Sequence, residues 1–294
     1  MIRVEQLVRR YGPVTALAGI DFTIARGEVV GFLGPNGAGK STTLRILTGL
    51  LAPTSGRAFI DGHPVDDPRR DIRTVVSYLP ETAPIQGELS VRAHLDFVAR
   101  LRKVPQRKAA VASVLARCGL ERVAHRLIGQ LSKGYRQRVG LAQAILPDPP
   151  VLILDEPSSG LDPNQRVEIR SLINSLRVDR TVIFSSHVLA EVEAVASRVI
   201  ILDQGRVVAD ATPEQLRVGE GIRVQVGGVA PTIAAAHLTA VLGVPVVVHG
   251  DVLQTRADPA AVARAVVAAG YDLLALTPAT SDLETVFRRL TGAA

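Results

Sequence analysis

The sequence predicts an α/β core built on a mainly parallel sheet, followed by a smaller α+β domain. Three observations carry that prediction. Over the first two thirds of the chain, short apolar runs alternate with helical patterns. Near Pro213–Gly221 the rhythm changes and the elements become shorter. The length, 294 residues, suits one large domain or two modest ones with a core that needs no covalent staples.

The core strands are predicted at Ile2–Val8, Ile20–Ile24, Val29–Leu33, Val75–Leu79, Val151–Leu154, Thr181–Ser185 and Arg198–Leu202. Val151–Leu154 is apolar throughout, as a central parallel strand covered on both faces requires. Helical patterns lie at Lys40–Thr48, Val91–Lys103, Gln106–Cys118, Gly134–Ile145 and Pro163–Leu176. Ser90 is placed to cap the helix from Val91. Asp162 is placed to cap one that opens on Pro163, where a missing N–H costs nothing. These elements assign residues 1–216 to the first domain. Residues 217–294 read as strand Ile222–Val226, helix Thr232–Leu242 and a hairpin of Pro245–His249 with Val252–Thr255. Helix Ala260–Ala269, strand Asp272–Leu276 and helix Leu283–Leu290 follow. The order β-α-β-β-α-β is the split-βαβ pattern of a ferredoxin-like domain.

Composition narrows the function. Cys118 is the one cysteine, which excludes an internal disulfide and a multi-cysteine metal site and fits a reducing compartment. No apolar run approaches the roughly 18 residues needed to span a bilayer. Met1–Val8 carries Arg3 and Glu5, unlike a signal peptide, so a cytoplasmic protein is expected. The formal charge is +6, which points to nucleic acid, an anionic surface or a phosphorylated ligand. With no Trp, 4 Tyr and 6 Phe, a binding platform of stacked aromatics is disfavoured. Residues 91–138 hold twelve Lys and Arg against Asp96 and Glu121, so the excess is local.

The informative segment is Gly34-Pro35-Asn36-Gly37-Ala38-Gly39-Lys40-Ser41-Thr42, which fits G-x-x-x-x-G-K-[ST] between a predicted strand and a predicted helix. Glycines let backbone N–H groups turn toward a phosphate with no Cβ in the way, and the helix N-terminus adds its dipole. Lys40 reaches β- and γ-phosphates, and the Ser41 hydroxyl ligates Mg²⁺. Further on, Val151–Leu154 ends in Asp155 and Glu156. Asp155 is placed to hold Mg²⁺ through water, and Glu156 is a candidate general base for water attacking the γ-phosphate.

The remaining motifs are more specific. Leu131-Ser-Lys-Gly-Tyr135 precedes the acidic strand, Ser159-Gly-Leu-Asp162 follows it, and His187 stands after Thr181–Ser185. In this order the chain resembles the ATP-binding subunit of an ABC transporter, from about Ile2 to Leu216. The resemblance implies a P-loop NTPase core with a helical subdomain at about 85–138. It makes Leu131–Tyr135 the signature motif, with Ser132, Lys133 and Gly134 serving ATP held by a second chain. It makes Ser159–Asp162 the D-loop, His187 the switch histidine at the γ-phosphate and Tyr11 the aromatic that stacks on adenine. The implied cofactors are ATP and Mg²⁺. The implied partners are a second copy of the chain or a homologous ATPase chain, and an integral membrane permease, which places the chain on the inner face of the cell membrane. The other histidines, His63, His94, His125, His237 and His249, show no ligand spacing and read as surface or loop residues.

Two motifs depart from the family pattern. Lys133 and Tyr135 stand where the signature usually has Gly and Gln. Glu81, in Tyr78-Leu-Pro-Glu81, stands where a glutamine usually senses Mg²⁺. Glutamate still accepts water or Mg²⁺ but donates no hydrogen bond. Two readings stay open for Lys133: charge near the partner's phosphate, or a side chain in solvent. Both departures, with the closing helix Asp282–Gly292, resemble the exporter branch with separate permease chains, as in drug-resistance, gliding-motility and copper-processing systems. Members acting on ribosomes usually carry two cassettes, and DNA-repair members carry coiled-coil insertions. This chain has one phosphate loop and no sustained heptads, so no nucleic acid partner is expected. A non-hydrolysing regulatory cassette is opposed by Lys40, Asp155, Glu156 and His187.

Overall fold

The computed structural model of the chain describes residues 1–176, 180–280 and 283–292. The chain divides into two compact units, one built on Met1–Thr212 and the other on Pro213–Arg289.

The first unit opens with β1 (Ile2–Tyr11), β2 (Val14–Ile24), β3 (Val29–Leu33), α1 (Lys40–Leu47), β4 (Ser55–Ile60), β5 (His63–Pro64) and β6 (Val76–Leu79). Three helices follow: α2 (Val91–Leu101), α3 (Arg107–Arg117) and α4 (Lys133–Ile145). The chain then returns through β7 (Val151–Leu154), α5 (Pro163–Leu176), β8 (Thr181–Ser186), α6 (Leu189–Val195), β9 (Arg198–Asp203) and β10 (Arg206–Ala211).

Two sheets result. The larger has the order β10-β9-β3-β8-β7-β6, parallel except for β10, which runs antiparallel along β9. The smaller is antiparallel, in the order β2-β1-β4-β5. Every residue of β3, β7 and β8 is buried, which explains the apolar runs Val29–Leu33, Val151–Leu154 and Val182–Phe184. Val30, Phe32, Ile153, Ile183 and Ile200 share one core with Leu44 and Leu47 of α1 and with Ile2, Leu17 and Phe22 of the smaller sheet. Phe22 and Phe32 meet edge to face, 5.3 Å between centroids.

The two predicted caps, Ser90 and Asp162, are in place, and Ser132 adds a third. The Ser90 hydroxyl accepts from Ala93 N–H at 3.2 Å, Ser132 from Tyr135 N–H at 3.4 Å, and Asp162 from Gln165 N–H at 2.9 Å. Other features correct the sequence reading. β2 begins at Val14 rather than Ile20, and β4, β5, β10 and α6 were not anticipated. β4 and β10 mix Gly, Arg or Asp with small residues and are only partly buried, so their pairing partners rather than an apolar run define them. His94 is not a surface residue: it is 2% exposed, on the face of α2 that buries Val91, Leu95 and Val98, and its Nε2 lies 2.7 Å from Gln143 Oε1.

Cys118 is buried at the end of α3, and burial pushes its thiol up to about 12. A thiol reagent at pH 8 is therefore expected to label the native chain orders of magnitude more slowly than the unfolded one. Equal labelling rates would contradict this burial.

The second unit contains α7 (Pro213–Arg217), β11 (Val218–Gly227), α8 (Pro231–Leu242), β12 (Val246–His249), β13 (Val252–Thr255), α9 (Pro259–Ala268) and β14 (Asp272–Thr280); α10 (Leu283–Thr291) closes the chain. Its sheet has the order β12-β13-β11-β14, with every neighbouring pair antiparallel. This is the split-βαβ topology expected from the element order. Val224 and Leu253 pack against Ala234 and Leu238 of α8 and Val262 and Val266 of α9. α7 was not anticipated, and Asp282, where the sequence reading starts the closing helix, lies outside the described residues. Among the described residues no helix is long and apolar enough to cross a membrane.

Candidate nucleotide site

Ligands of parallel α/β sheets gather at the carboxyl ends of the strands, and the site residues converge there. β3 ends at Leu33, the loop Gly34–Gly39 follows, and α1 begins at Lys40. Gly39 has φ 105°, where an L side chain is strained, and a Cβ on it would lie 2.7 Å from both Ala16 O and Leu17 Cδ2. A Cβ on Gly34 would overlap Leu202 O. No side chain caps α1, so its first-turn N–H groups are left for an anion.

Behind this loop lies a polar cluster. Lys40, 6% exposed, donates from Nζ to Gly34 O at 2.6 Å and to Pro35 O at 3.1 Å, and lies 3.8 Å from Glu156 Oε1. Burial pulls its ammonium below the usual lysine range, against the pull of Glu156, Asp155 and Glu81. Asp155, 2% exposed, accepts at Oδ1 from the hydroxyls of Ser41 (3.0 Å) and Ser185 (2.7 Å), and at Oδ2 from Tyr78 (3.2 Å). Burial next to that carboxylate pushes the Tyr78 phenol up to about 12, so it stays a donor. Glu156 has φ 48°, a left-handed conformation unusual for a non-glycine residue. Its N–H donates to Ser185 Oγ at 2.9 Å and its Oε2 lies 2.8 Å from His187 Nδ1.

A cavity of about 480 Å³ opens over this cluster. Asn36, Gly37, Ala38, Gly39, Lys40, Ser41 and Thr42 line it, with Glu81, Glu156, Ser159 and His187 opposite. The chemistry fits a nucleoside triphosphate: a glycine loop, a free helix N-terminus and an ammonium for phosphate, beside a carboxylate and histidine. The hydroxyl of Ser41 and the carboxylate of Asp155 are hard oxygen donors, the few protein groups Mg²⁺ takes when phosphates and waters complete its shell.

Gly34 and Pro35 contribute their carbonyls to Lys40 rather than to the cavity wall. Other predicted residues stand apart. Tyr11 is exposed at the end of β1, with the Arg9 guanidinium 4.6 Å over its ring, while Val14, Thr15 and Ala16 line the cavity instead. Ser132, Lys133 and Gly134 open α4 and Asp162 caps α5, all outside this cavity. Gln165 of α5 touches Gly134, where a Cβ would lie 2.7 Å from its Cδ.

Sequence reasoning missed Ser185 as the link between Asp155 and Glu156. It also missed Glu191, a buried carboxylate that accepts from Ser158 (2.5 Å) and Ser186 (2.8 Å). The only signal was the pair Ser185-Ser186 ahead of His187.

The fold and this site define a P-loop ATPase. Residues 17–159 match the family model described as ABC transporter. The daunorubicin resistance ATP-binding protein DrrA3 of Streptomyces coeruleorubidus is 34% identical across 99% of this chain and 96% of its own length. The bacitracin transport ATP-binding protein BcrA of Bacillus licheniformis is 35% identical over 74% of this chain and 71% of its own. ABC transporter A family member 1 of Dictyostelium discoideum is 33% identical, but the match spans only 26% of that longer protein. Among solved structures, cbiO1 from Clostridium perfringens, part of the cbiONQ transporter complex, superposes with a TM-score of 0.67 at 33% identity, covering 73% of this chain and 89% of that one. A dimer of the cassette MJ0796 bound to ADP and Pi gives a TM-score of 0.66 at 25% identity, covering 72% and 98%. The chain belongs to the ABC transporter family as an ATP-binding subunit, and its enzymatic activity is ATP hydrolysis.

Proposed function

We propose that this ATPase drives a membrane exporter whose permease consists of separate chains, that it works as a dimer around two ATP molecules, and that it sits on the inner face of the cell membrane. The observation that carries the reading is one cavity lined by Lys40, Ser41, Glu156 and His187, with the buried Asp155 accepting from the Ser41 hydroxyl behind it. The names of DrrA3 and BcrA support export, and the MJ0796 dimer supports pairing. The partner is the same chain or a homologous ATPase chain, and no nucleic acid takes part.

In this reading Gly34–Thr42 cradles the phosphates and Lys40 exchanges its loop carbonyls for β- and γ-phosphate oxygens. Ser41 and Asp155, with Glu81 through water, would hold Mg²⁺, which would supply charge neutralisation at the phosphates. Glu156 accepts a proton from water as its oxygen bonds the γ-phosphorus and the bond to the ADP oxygen breaks. His187, 2.8 Å from Glu156, orients that carboxylate and the attacked phosphate. Tyr11 stacks on adenine. Ser132, Lys133 and Gly134, at the start of α4, and Asp162, which caps α5, face the nucleotide of the second chain. Residues 1–216 form the ATPase domain, with its helical subdomain at about 85–138. Residues 217–294 help pair or regulate the two chains.

Phosphate release by the purified chain tests the cation's part. It is expected to stop in excess chelator and to return with added Mg²⁺. Undiminished release in chelator would refute the assignment of Ser41 and Asp155.

A further inference from the structure

Glu191 is a carboxylate with no place in the chemistry described above. It stands in α6, 7% exposed, and does not line the nucleotide cavity. Burying a carboxylate is costly unless donors satisfy its oxygens. Here Oε2 accepts two hydroxyls, from Ser158 at 2.5 Å and from Ser186 at 2.8 Å. Arg166 of α5 comes to 3.9 Å from Oε1.

The two hydroxyls belong to different loops. Ser158 follows Glu156 by two residues, in the loop that leaves β7. Ser186 ends β8, directly before His187. Ser186 Oγ also accepts from Val188 N–H at 3.0 Å, which closes a turn around His187. The loop after β7 is tied down further on, where Arg166 Nε donates to Leu161 O at 3.0 Å. Between the two loops, Glu156 Oε2 and His187 Nδ1 stand 2.8 Å apart. Ser185 joins the strands one step earlier, at the Glu156 N–H. α6 itself sits close on the sheet: a Cβ on Gly31 of β3 would lie 2.5 Å from Val192 Cγ1.

We infer that Glu191 is a positioning residue for hydrolysis: it ties the Glu156 loop to the His187 loop and so sets the contact between those two side chains. The inference rests on the reading of Glu156 as the base and His187 as its orienting partner. Hydroxyl–carboxylate bonds are short and charge-assisted, so two on one oxygen hold both loops with little slack. Misplacing a reacting group by about 1 Å costs up to about 100-fold in rate. Affinity is spared, because ATP is held by the phosphate loop between β3 and α1, outside the hydrogen bonds of Glu191.

The test reads kcat and KM for ATP separately. Glu191→Ala is expected to lower kcat about 10- to 100-fold with KM changed less than about 2-fold. Glu191→Gln keeps an acceptor oxygen for both hydroxyls and should hold kcat within about 3-fold of the unaltered chain. Ser158→Ala cuts one link without opening a large cavity, and should lower kcat about 5-fold with KM held. In a chain already carrying His187→Ala, adding Glu191→Ala should slow cleavage of ATP by excess chain less than about 2-fold further, since the contact it sets is gone. The same fold loss with and without His187 would overturn the inference, because Glu191 would then act only through packing. Unchanged kcat in Glu191→Ala, or in Ser158→Ala, would overturn it too. Failure of the functional reading looks different: Glu156→Gln would then keep full turnover, whatever the variants of Glu191 do.

Discussion

Replacing Glu156 with glutamine gives a chain that binds ATP and hardly hydrolyses it. The side chain keeps its size, so the left-handed backbone at φ 48° and the N–H bond to Ser185 Oγ are undisturbed. The amide oxygen still meets His187 Nδ1 if the imidazole donates, as it does at 2.8 Å to the carboxylate. What is lost is the carboxylate that stands between Lys40 and His187 as proton acceptor. A general base contributes about 10²- to 10⁴-fold, and turnover is expected to fall within that range. Binding should hold or tighten, because one negative charge beside the phosphates is gone. ATP then accumulates uncleaved, and the mass of the complex under saturating ATP should double. Steady-state phosphate release and light scattering read the two effects. Full turnover in Glu156→Gln would remove Glu156 as the base, and a mass fixed at one chain would remove the dimer.

Local spacing announced the phosphate loop and the acid pair because each sits on one strand end, where sequence neighbours are spatial neighbours. The buried strands β3, β7 and β8 announced themselves through short apolar stretches, Val182–Phe184 in the case of β8. Ser185 did not, because its role arises from strand pairing. The parallel register sets Leu154 beside Phe184, which brings the next residues, Asp155 and Ser185, within 2.7 Å. A serine at a strand end carries no sign of that in its own neighbourhood. β1 and β2 form a hairpin whose partners shift register three times, so no regular alternation marks β2 before Ile20. His94 was misjudged for a related reason: polarity suggested surface, while the spacing to Val91, Leu95 and Val98 placed it on the buried face of α2. The bridge through Glu191 is equally remote in sequence, since 33 residues separate it from Ser158.

Lys40→Met should weaken ATP binding by about 100-fold, the worth of one or two charge-assisted hydrogen bonds in a buried site. The geometry supports the upper end of that range. Among the described ion pairs Lys40 is the one lysine or arginine at Glu156, and without it two buried carboxylates confront the phosphates with no ammonium between them. Titration with a fluorescent ATP analogue checks the loss, and unchanged affinity would remove Lys40 from the site. The same residue predicts a pH effect of definite sign. Burial holds the folded ammonium below the ordinary lysine value of about 10.4. Between the lowered folded value and the ordinary unfolded one, the unfolded chain binds more protons, so stability rises with pH. The cost of burying the charge is fully present below that window and is relieved across it. Methionine has nothing to titrate. The Tm of the unaltered chain minus that of Lys40→Met, measured without nucleotide, should therefore climb as pH rises toward 10. Bound nucleotide should flatten the climb, since its phosphates favour the ammonium and draw the folded value back up. A difference that stays level or falls with pH in the free chain would mean that Asp155 and Glu156 outweigh burial at Lys40.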